Sequence, residues 1–150
     1  LVKQDFNKAF QLTHQAAKKG LASAQFNLAV MFANGTGINQ DDFKASRWYQ
    51  NAADQNHALA QYNLALLYSE GKGVEKSIEM SLVWNTIASW NGYPDADKSR
   101  ILDERALANE NRNLFEKKIE SAREKANTIY NKIIEQEKLK AKMAQKNDFY

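Results

Sequence analysis

The segment Ala24-Gln25-Phe26-Asn27-Leu28-Ala29 returns 36 positions later as Ala60-Gln61-Tyr62-Asn63-Leu64-Ala65. The same shift carries Gly35 onto Gly71, Gly37 onto Gly73, Ile38 onto Val74, Trp48 onto Trp84 and Ala52 onto Ala88. A period of that length is one supersecondary unit that buries its apolar face only against its neighbours, so the chain must stack. It also moves the search for function from a pocket to a surface, because stacked arrays expose one long face.

Within each unit the spacing predicts helix, Gly-containing loop, helix. Helix A of the first full unit spans about 22–34, with Ala24, Leu28 and Phe32 on an apolar stripe. Gly35 and Gly37 end it, Asp41 or Asp42 caps helix B, and helix B runs over about 42–55 with Ala45, Trp48, Tyr49 and Ala52 inward. The second unit repeats this over about 58–70 and 77–90, with Leu64, Tyr68, Trp84 and Ala88. The equivalent tryptophans Trp48 and Trp84 are expected in the core. Gly20, Asn56 and Gly92 fall at one repeat position, where a left-handed residue would close helix B. Asp5, Lys8, Ala9, Ala16, Ala17 and Gly20 match Asp41, Lys44, Ala45, Ala52, Ala53 and Asn56, so residues about 4–19 form a leading helix B that acts as a reduced cap.

Ala60-Gln61-Tyr62-Asn63-Leu64, Tyr68, Gly71-Lys72-Gly73-Val74 and Trp84, with Lys44-Ala45-Ser46-Arg47-Trp48-Tyr49 and Ala52-Ala53, resemble the Sel1-like repeat, a relative of the tetratricopeptide repeat. The match covers about 5–96. It implies an all-α solenoid of helix pairs with a right-handed sense, whose A helices line a concave face. Ala29 and Ala65 stand where that family usually has Gly, and Ser77 and Ser81 where it has Asp and Ala; both departures are expected to loosen packing slightly.

Beyond residue 96 the echo fades. Pro94 suits the first turn of a further helix over about 95–108, but Arg100 stands where Leu64 stood and no Gly-x-Gly loop follows. After Asn109-Glu110-Asn111 a long helix is expected over about 112–145. Phe115, Ile119, Ala122, Ala126, Ile129 and Ile133 form a heptad-like seam on it, which either caps the last repeat or docks on a partner. Glu116, Glu120 and Glu124 are like-charged neighbours at helical spacing, while Glu120 can also pair with Lys117 and Arg123, and lysines dominate after Ile134. The expected organisation is a repeat solenoid over 1–110 and a C-terminal helix over 111–150 with a projecting end. Residues 97–150 hold 13 of the 21 Lys and Arg, so the basic excess and most of the charge density belong to the C-terminal third.

No catalytic, cofactor or metal site is expected. Cysteine is absent, which removes disulfides, thiolate ligands and a Cys nucleophile. His57 lies at a helix boundary and reads as a cap or packing residue; His14 has no companion at metal-ligand spacing and reads as a surface residue. Ser69-Glu70-Gly71-Lys72 matches the S-x-x-K pattern of penicillin-interacting enzymes, and some Sel1-like proteins have been described as β-lactamases. Its Gly, however, belongs to the recurring loop, and the companion Ser-Asp-Asn and Lys-Thr-Gly elements are missing. Asn34-Gly35-Thr36 is an incidental glycosylation sequon. A net charge of +3 does not single out nucleic acid, and no apolar run approaches a membrane span.

The reading is therefore a non-enzymatic protein-interaction module holding a partner protein or extended peptide. Its expected contacts are Asn27, Met31, Asn34, Asn63, Leu67 and Glu70 on the A helices, with Trp90 and Arg100 where the echo breaks. Asn recurs inside two helices, which points to hydrogen bonds across helices or to a bound peptide. Trp90, aligned with the polar Asp54, either meets the C-terminal helix or stands as an exposed anchor. The resemblance implies a bacterial adaptor, regulator or immunity-type protein, periplasmic or secreted after loss of a signal peptide, with the cytoplasm as the alternative location. The alternative functions are a cell-wall-related hydrolase and a structural homodimer through the C-terminal helix.

Overall fold

The computed structural model describes the backbone of residues 2–110 and 112–147 and the side chains of 5–110 and 112–146. Leu1, Asn111 and 148–150, which fall inside the expected bounds 1–110 and 111–150, lie outside the described residues. The elements are α1 (Val2–Lys18), α2 (Ala22–Asn34), α3 (Asp42–Ala53), α4 (Ala58–Glu70), α5 (Ile78–Trp90), α6 (Pro94–Glu110) and α7 (Phe115–Asn147). Each helix from α1 to α5 packs on its successor, and α7 returns to lie chiefly along α5 and against α6. The protein is thus an all-α solenoid of helix pairs closed by a long final helix.

The caps follow the repeat. Asp41 and Ser77, 36 residues apart, are the N-caps of α3 and α5; their side chains accept from the Lys44 and Met80 amides at 2.9 and 3.1 Å. Ser77 thus does the work of the Asp it replaces. Gly35 and Gly71 end α2 and α4 in the left-handed conformation. Asn56 takes the same region at φ +64°, aligned with Gly20 and Gly92. The His57 amide then donates back to the Ala52 carbonyl, as the Leu21 and Tyr93 amides do to Ala16 and Ala88.

The core runs through the stack. Leu28, Ala29 and Phe32 of α2, Leu64 and Ala65 of α4, and Ala45, Tyr49 and Ala52 of α3 are buried. Every residue of α5 from Ser81 to Ala88 is buried, because α4, α6 and α7 enclose that helix on three sides. Trp84 is in this core; Trp48 is only half-buried and meets His14 edge-on at 6.1 Å. His14 itself stacks on Phe10 at 5.6 Å, so this half-buried surface residue also serves in packing.

The leading helix, expected as a cap of reduced apolar bulk, still leaves Leu12 and Leu21 exposed beside Ala16, Ala22 and Ala24 in an open depression. Ser81 does not loosen the packing: its hydroxyl donates to Asp103 of α6 at 2.8 Å, and Asn85 donates to the same oxygen at 2.8 Å. Burial pushes the Asp103 carboxyl above the usual carboxylate range.

The seam on α7 is used inside the chain. Ile119, Ala122, Ala126 and Ile133 are buried, and Phe115 and Ile129 pack beside them. Glu79 at the start of α5 receives Lys125 and Ser121. Further along, Glu137 accepts from Asn56 at 3.2 Å and Lys140 reaches Gln55 at 3.4 Å, so α7 crosses α5 toward the end of α3. A homodimer through that seam would have to displace this packing.

Candidate interaction surface

The side chains that repeat fall into two groups, those spent on the stack and those left outward. The first group makes a polar ladder. Gln25 and Gln61 occupy one repeat position, both buried, and donate to the carbonyls of Ala17 and Ala53 at 3.2 and 3.1 Å. Their own oxygens accept from Gln55 at 2.7 Å and from Asn91 at 2.8 Å, again equivalent residues. Gln55 also donates to the Gly20 carbonyl at 2.9 Å, whereas Asn91 meets the Asn56 side chain at 2.6 Å. Each rung thus ties the start of an A helix to the end of the B helix before it and the B helix after it. A buried amide satisfied at both ends fixes register, since slipping would orphan it.

An aromatic rung accompanies each polar one. Phe26 stacks on His57 at 4.8 Å, and the equivalent Tyr62 packs on Tyr93 at 4.7 Å. His57 also caps α4, its Nδ1 accepting from the Ala60 amide at 3.2 Å. Burial lowers its pKa below 6.5, which keeps the imidazole neutral and able to accept. The capping or packing role expected for His57 is what the geometry has. Ser69 donates to the Leu66 carbonyl of its own helix and Lys72 pairs with Glu70 at 2.7 Å, so neither is turned toward the other as a nucleophile and base.

The second group is the outward row of α2 and α4. Asn27 and Asn34 are exposed, and neither hydrogen-bonds within the chain among the described residues. Met31 between them is half-buried, and Glu70 is exposed apart from its Lys72 partner. Two positions depart from expectation. Leu67 is 8% exposed and belongs to the core, so it is not part of an open face. Asn63 donates to the Leu59 carbonyl one turn back at 2.8 Å, bonding its own helix and not a neighbouring helix.

Trp90 and Arg100 do not join this row. Trp90 remains 43% exposed, with its ring edge-on to Tyr130 of α7 at 5.4 Å, so the contact with the C-terminal helix is the one made. Arg100 is held on α6 by Glu104 at 2.7 Å and Asp97 at 3.5 Å. Glu104 in turn faces Arg123 of α7 at 3.9 Å, so the charge that breaks the echo helps fasten the last two helices. Among the described residues no cluster of His, Asp or Glu has the form of a metal site, and no helix is long and apolar enough to cross a membrane.

The ladder was not anticipated from the sequence, although its residues recur in plain register. Gln25 and Gln61 sit inside the opening echo, and Gln55 and Asn91 are equivalent amides 36 apart. A glutamine recurring at a helix start beside Ala and an aromatic was the available signal. The Ser81–Asn85–Asp103 group left no such trace, because its acid lies where the repeat has decayed.

An antiparallel stack of two-helix units with Gly-capped loops and a buried amide ladder defines an α/α repeat protein. The chain belongs to the Sel1 repeat family, whose model matches residues 1–21, 22–57 and 58–88. Members of this family generally mediate protein interactions and are generally non-catalytic. Among solved structures, the chain is similar to c5321, a protective antigen of uropathogenic Escherichia coli with an SLR fold, at 29% identity and a TM-score of 0.69, over 85% of this chain and 28% of that one. It is similar to a Sel1 repeat protein of Oxalobacter formigenes at 38% identity and a TM-score of 0.55, over 67% of this chain and 37% of that one. Helicobacter pylori cysteine rich protein B matches at 25% identity and a TM-score of 0.59, over 61% of this chain and 69% of its own. The chain spans well under half the length of the first two. A search of curated protein sequences finds no match.

Proposed function

We propose that this chain is a non-catalytic protein-binding module that holds a partner protein or an extended peptide segment along the outward row of α2 and α4. One observation carries the reading. The recurring glutamines, aromatic rungs and helix caps are turned inward, while Asn27 and Asn34, with Met31 between them, face outward without internal partners. Amides at i and i+7 beside an apolar thioether offer donors and acceptors for an extended backbone and a soft contact for side chains. Asn63 and Glu70 extend the row onto α4, and Trp90 forms a half-exposed shoulder next to α7.

On this reading the array expected over 1–110 supplies the binding surface and α7 braces it from the side of α5. The similarity to a protective antigen and to other bacterial repeat proteins supports a periplasmic or secreted adaptor, regulator or immunity-type role.

The test is selection from a displayed peptide library, with affinities of enriched peptides measured by titration calorimetry. The variant Asn27→Arg/Asn34→Arg changes two exposed positions, so its melting temperature should match the parent while its affinity falls at least about tenfold. Peptides that bind both proteins equally, or no enrichment at all, would remove the assignment of this face.

A further inference from the structure

The outward side of α7 carries a charge pattern that the repeat array does not use. Glu116, Glu120, Glu124, Asn127, Asn131, Lys138 and Lys142 follow one another by 4, 4, 3, 4, 7 and 4 residues, which keeps them on one side of a helix, and Lys146 extends the row. All eight are exposed. The buried residues Ile119, Ala122, Ala126 and Ile133 lie on the opposite side, against α5. None of the three glutamates and three lysines forms an ion pair among the described residues, although Lys118, Arg123 and Lys125 of the same helix do.

Three glutamates in successive turns, followed by three lysines in successive turns, repel within each group and weaken the helix that carries them. Terminal dipole effects account for Glu116 in the first turn and Lys146 in the last. They do not reach Glu120, Glu124, Lys138 or Lys142, which lie further in. Glu135 also lies on this side within the lysine half and Lys117 within the glutamate half, both exposed, so one half is mainly acidic and the other mainly basic, and such a face is self-complementary under a two-fold axis.

We propose that two copies of this chain associate by laying their α7 helices antiparallel along this outward face, with the axis at Asn131. That register sets Glu116 opposite Lys146, Glu120 opposite Lys142 and Glu124 opposite Lys138, and the symmetry repeats each pair. Ile119 and Phe115 line a cleft of about 500 Å³ between α6 and α7, rimmed by Glu104, Glu116, Glu120 and Glu124. The other end of α7 carries Leu139 and Met143, 60% and 59% exposed, on the flank of the row beside Lys138, Lys142 and Lys146. The row from 116 to 146 is about 45 Å long, and each repeat body lies behind its own α7, away from the other copy.

The occupant is a second copy because one register pairs the three glutamates with the three lysines and sets Glu135 opposite Asn127 and Lys117 opposite Gln145, with no like charges facing; an anionic surface would meet only the lysines. This association leaves the row on α2 and α4 free, so it stands or falls independently of the binding reading.

Sedimentation equilibrium of the full chain at low and high salt tests it. The parent should be dimeric at micromolar to millimolar concentration and shift toward monomer as salt rises. Lys138→Glu/Lys142→Glu/Lys146→Glu makes the row wholly acidic, and Glu116→Lys/Glu120→Lys/Glu124→Lys makes it wholly basic. Each alone should weaken self-association more than about a hundredfold, with an unchanged far-UV circular dichroism spectrum. Mixed, the two should form a one-to-one heterodimer. The chain lacks cysteine, so a single Asn131→Cys should oxidise readily to a covalent dimer, while Asn127→Cys, set opposite Glu135, should not. A parent that is monomeric throughout, variants that dimerise as well as the parent, or equal cross-linking at 127 and 131 would overturn the proposal. So would a monomeric parent whose lysines bind anionic vesicles.

Discussion

Gly73 is where one repeat rests on the previous one, and it has no room for a side chain. A Cβ there would stand 2.0 Å from the Asp42 carbonyl oxygen and 2.7 Å from the Phe43 amide nitrogen, on a residue whose φ is +66°. Gly37 makes the same approach one repeat earlier, its Cβ position 2.8 Å from that of Phe6, the residue equivalent to Asp42. Gly92 is also left-handed, at φ +79°, but nothing lies within 4 Å of its Cβ position. The two sites therefore separate strain from collision. Gly92→Ala should lose only the left-handed penalty, about 1–2 kcal/mol. Gly73→Ala adds a clash with backbone. Real Cβ contacts do not fall under 3.0 Å, so the loop and the start of α3 must part by about 1 Å. Overpacking of that kind costs about 1–3 kcal/mol. The shift also strains the hydrogen bond from Ser46 Oγ to the Gly73 carbonyl, 3.1 Å long and worth about 1 kcal/mol. The expected loss is thus about 3–6 kcal/mol for Gly73→Ala. Urea unfolding followed by circular dichroism measures both variants, with equal m-values required before comparison. In a chain of this size each kcal/mol moves the melting temperature by about 2–4 °C. If Gly73→Ala falls within about 0.5 kcal/mol of Gly92→Ala, the loop does not rest on α3 and the stacking geometry is wrong.

Three other perturbations address the core, the last helix pair and the cap. Trp84→Ala should cost about 3–5 kcal/mol, and Trp48→Ala, half-buried against His14, clearly less; equal losses in thermal melts would contradict the unequal burial. Asp103→Ala should cost about 2–4 kcal/mol by orphaning the Ser81 and Asn85 donors. Asp103→Asn should be neutral or stabilising at neutral pH, because an amide there can donate to the buried, unpaired Asn85 Oδ1. Its folded pKa is raised, so the Asp103 contribution is full below 3.8 and is lost as pH rises through the higher folded value; any gain from Asn must therefore be largest at neutral pH. His57 has the opposite sign. Its folded pKa is lowered, so its contribution is present above 6.5 and lost as pH falls through the folded value. The melting temperature should drop on acidification, and His57→Asn, which caps without titrating there, should flatten that slope; parallel slopes would refute the cap.

How much of this was legible depends on whether a residue's partner lies inside the repeat. The bounds of α2 and α4, the Asp41 cap and the left-handed Asn56 are local matters, set by helix period, cap chemistry and the backbone freedom of Gly and Asn, and all could be read directly. The seam on α7 was also legible, since its spacing marks a buried stripe whatever it packs on. What it packs on was not: nothing in Phe115 to Ile133 says that α5 is the partner. Leu67 was assigned to an open face because one helix was read alone. An internal helix has neighbours on both sides, so its buried arc is wider than the stripe that a single packing surface would need.

The polar core shows the same division more sharply. Gln25 and Gln61 are equivalent and bond equivalent carbonyls, so a repeated amide could have been recognised as a structural rung from sequence. Asp103 has no equivalent. It lies on α6, where Arg100 replaces a leucine, and its partners Ser81 and Asn85 differ from Ala45 and Tyr49 in the preceding unit. The array thus ends by exchanging an apolar contact for a buried acid held by two donors, and by fastening α6 to α7 through Glu104 and Arg123. Those residues lie in three helices, where the recognisable repeat gives way to α6 and α7. A single sequence reveals what is repeated; a closing contact made once, between residues that match nothing else in the chain, needs the fold before it can be seen.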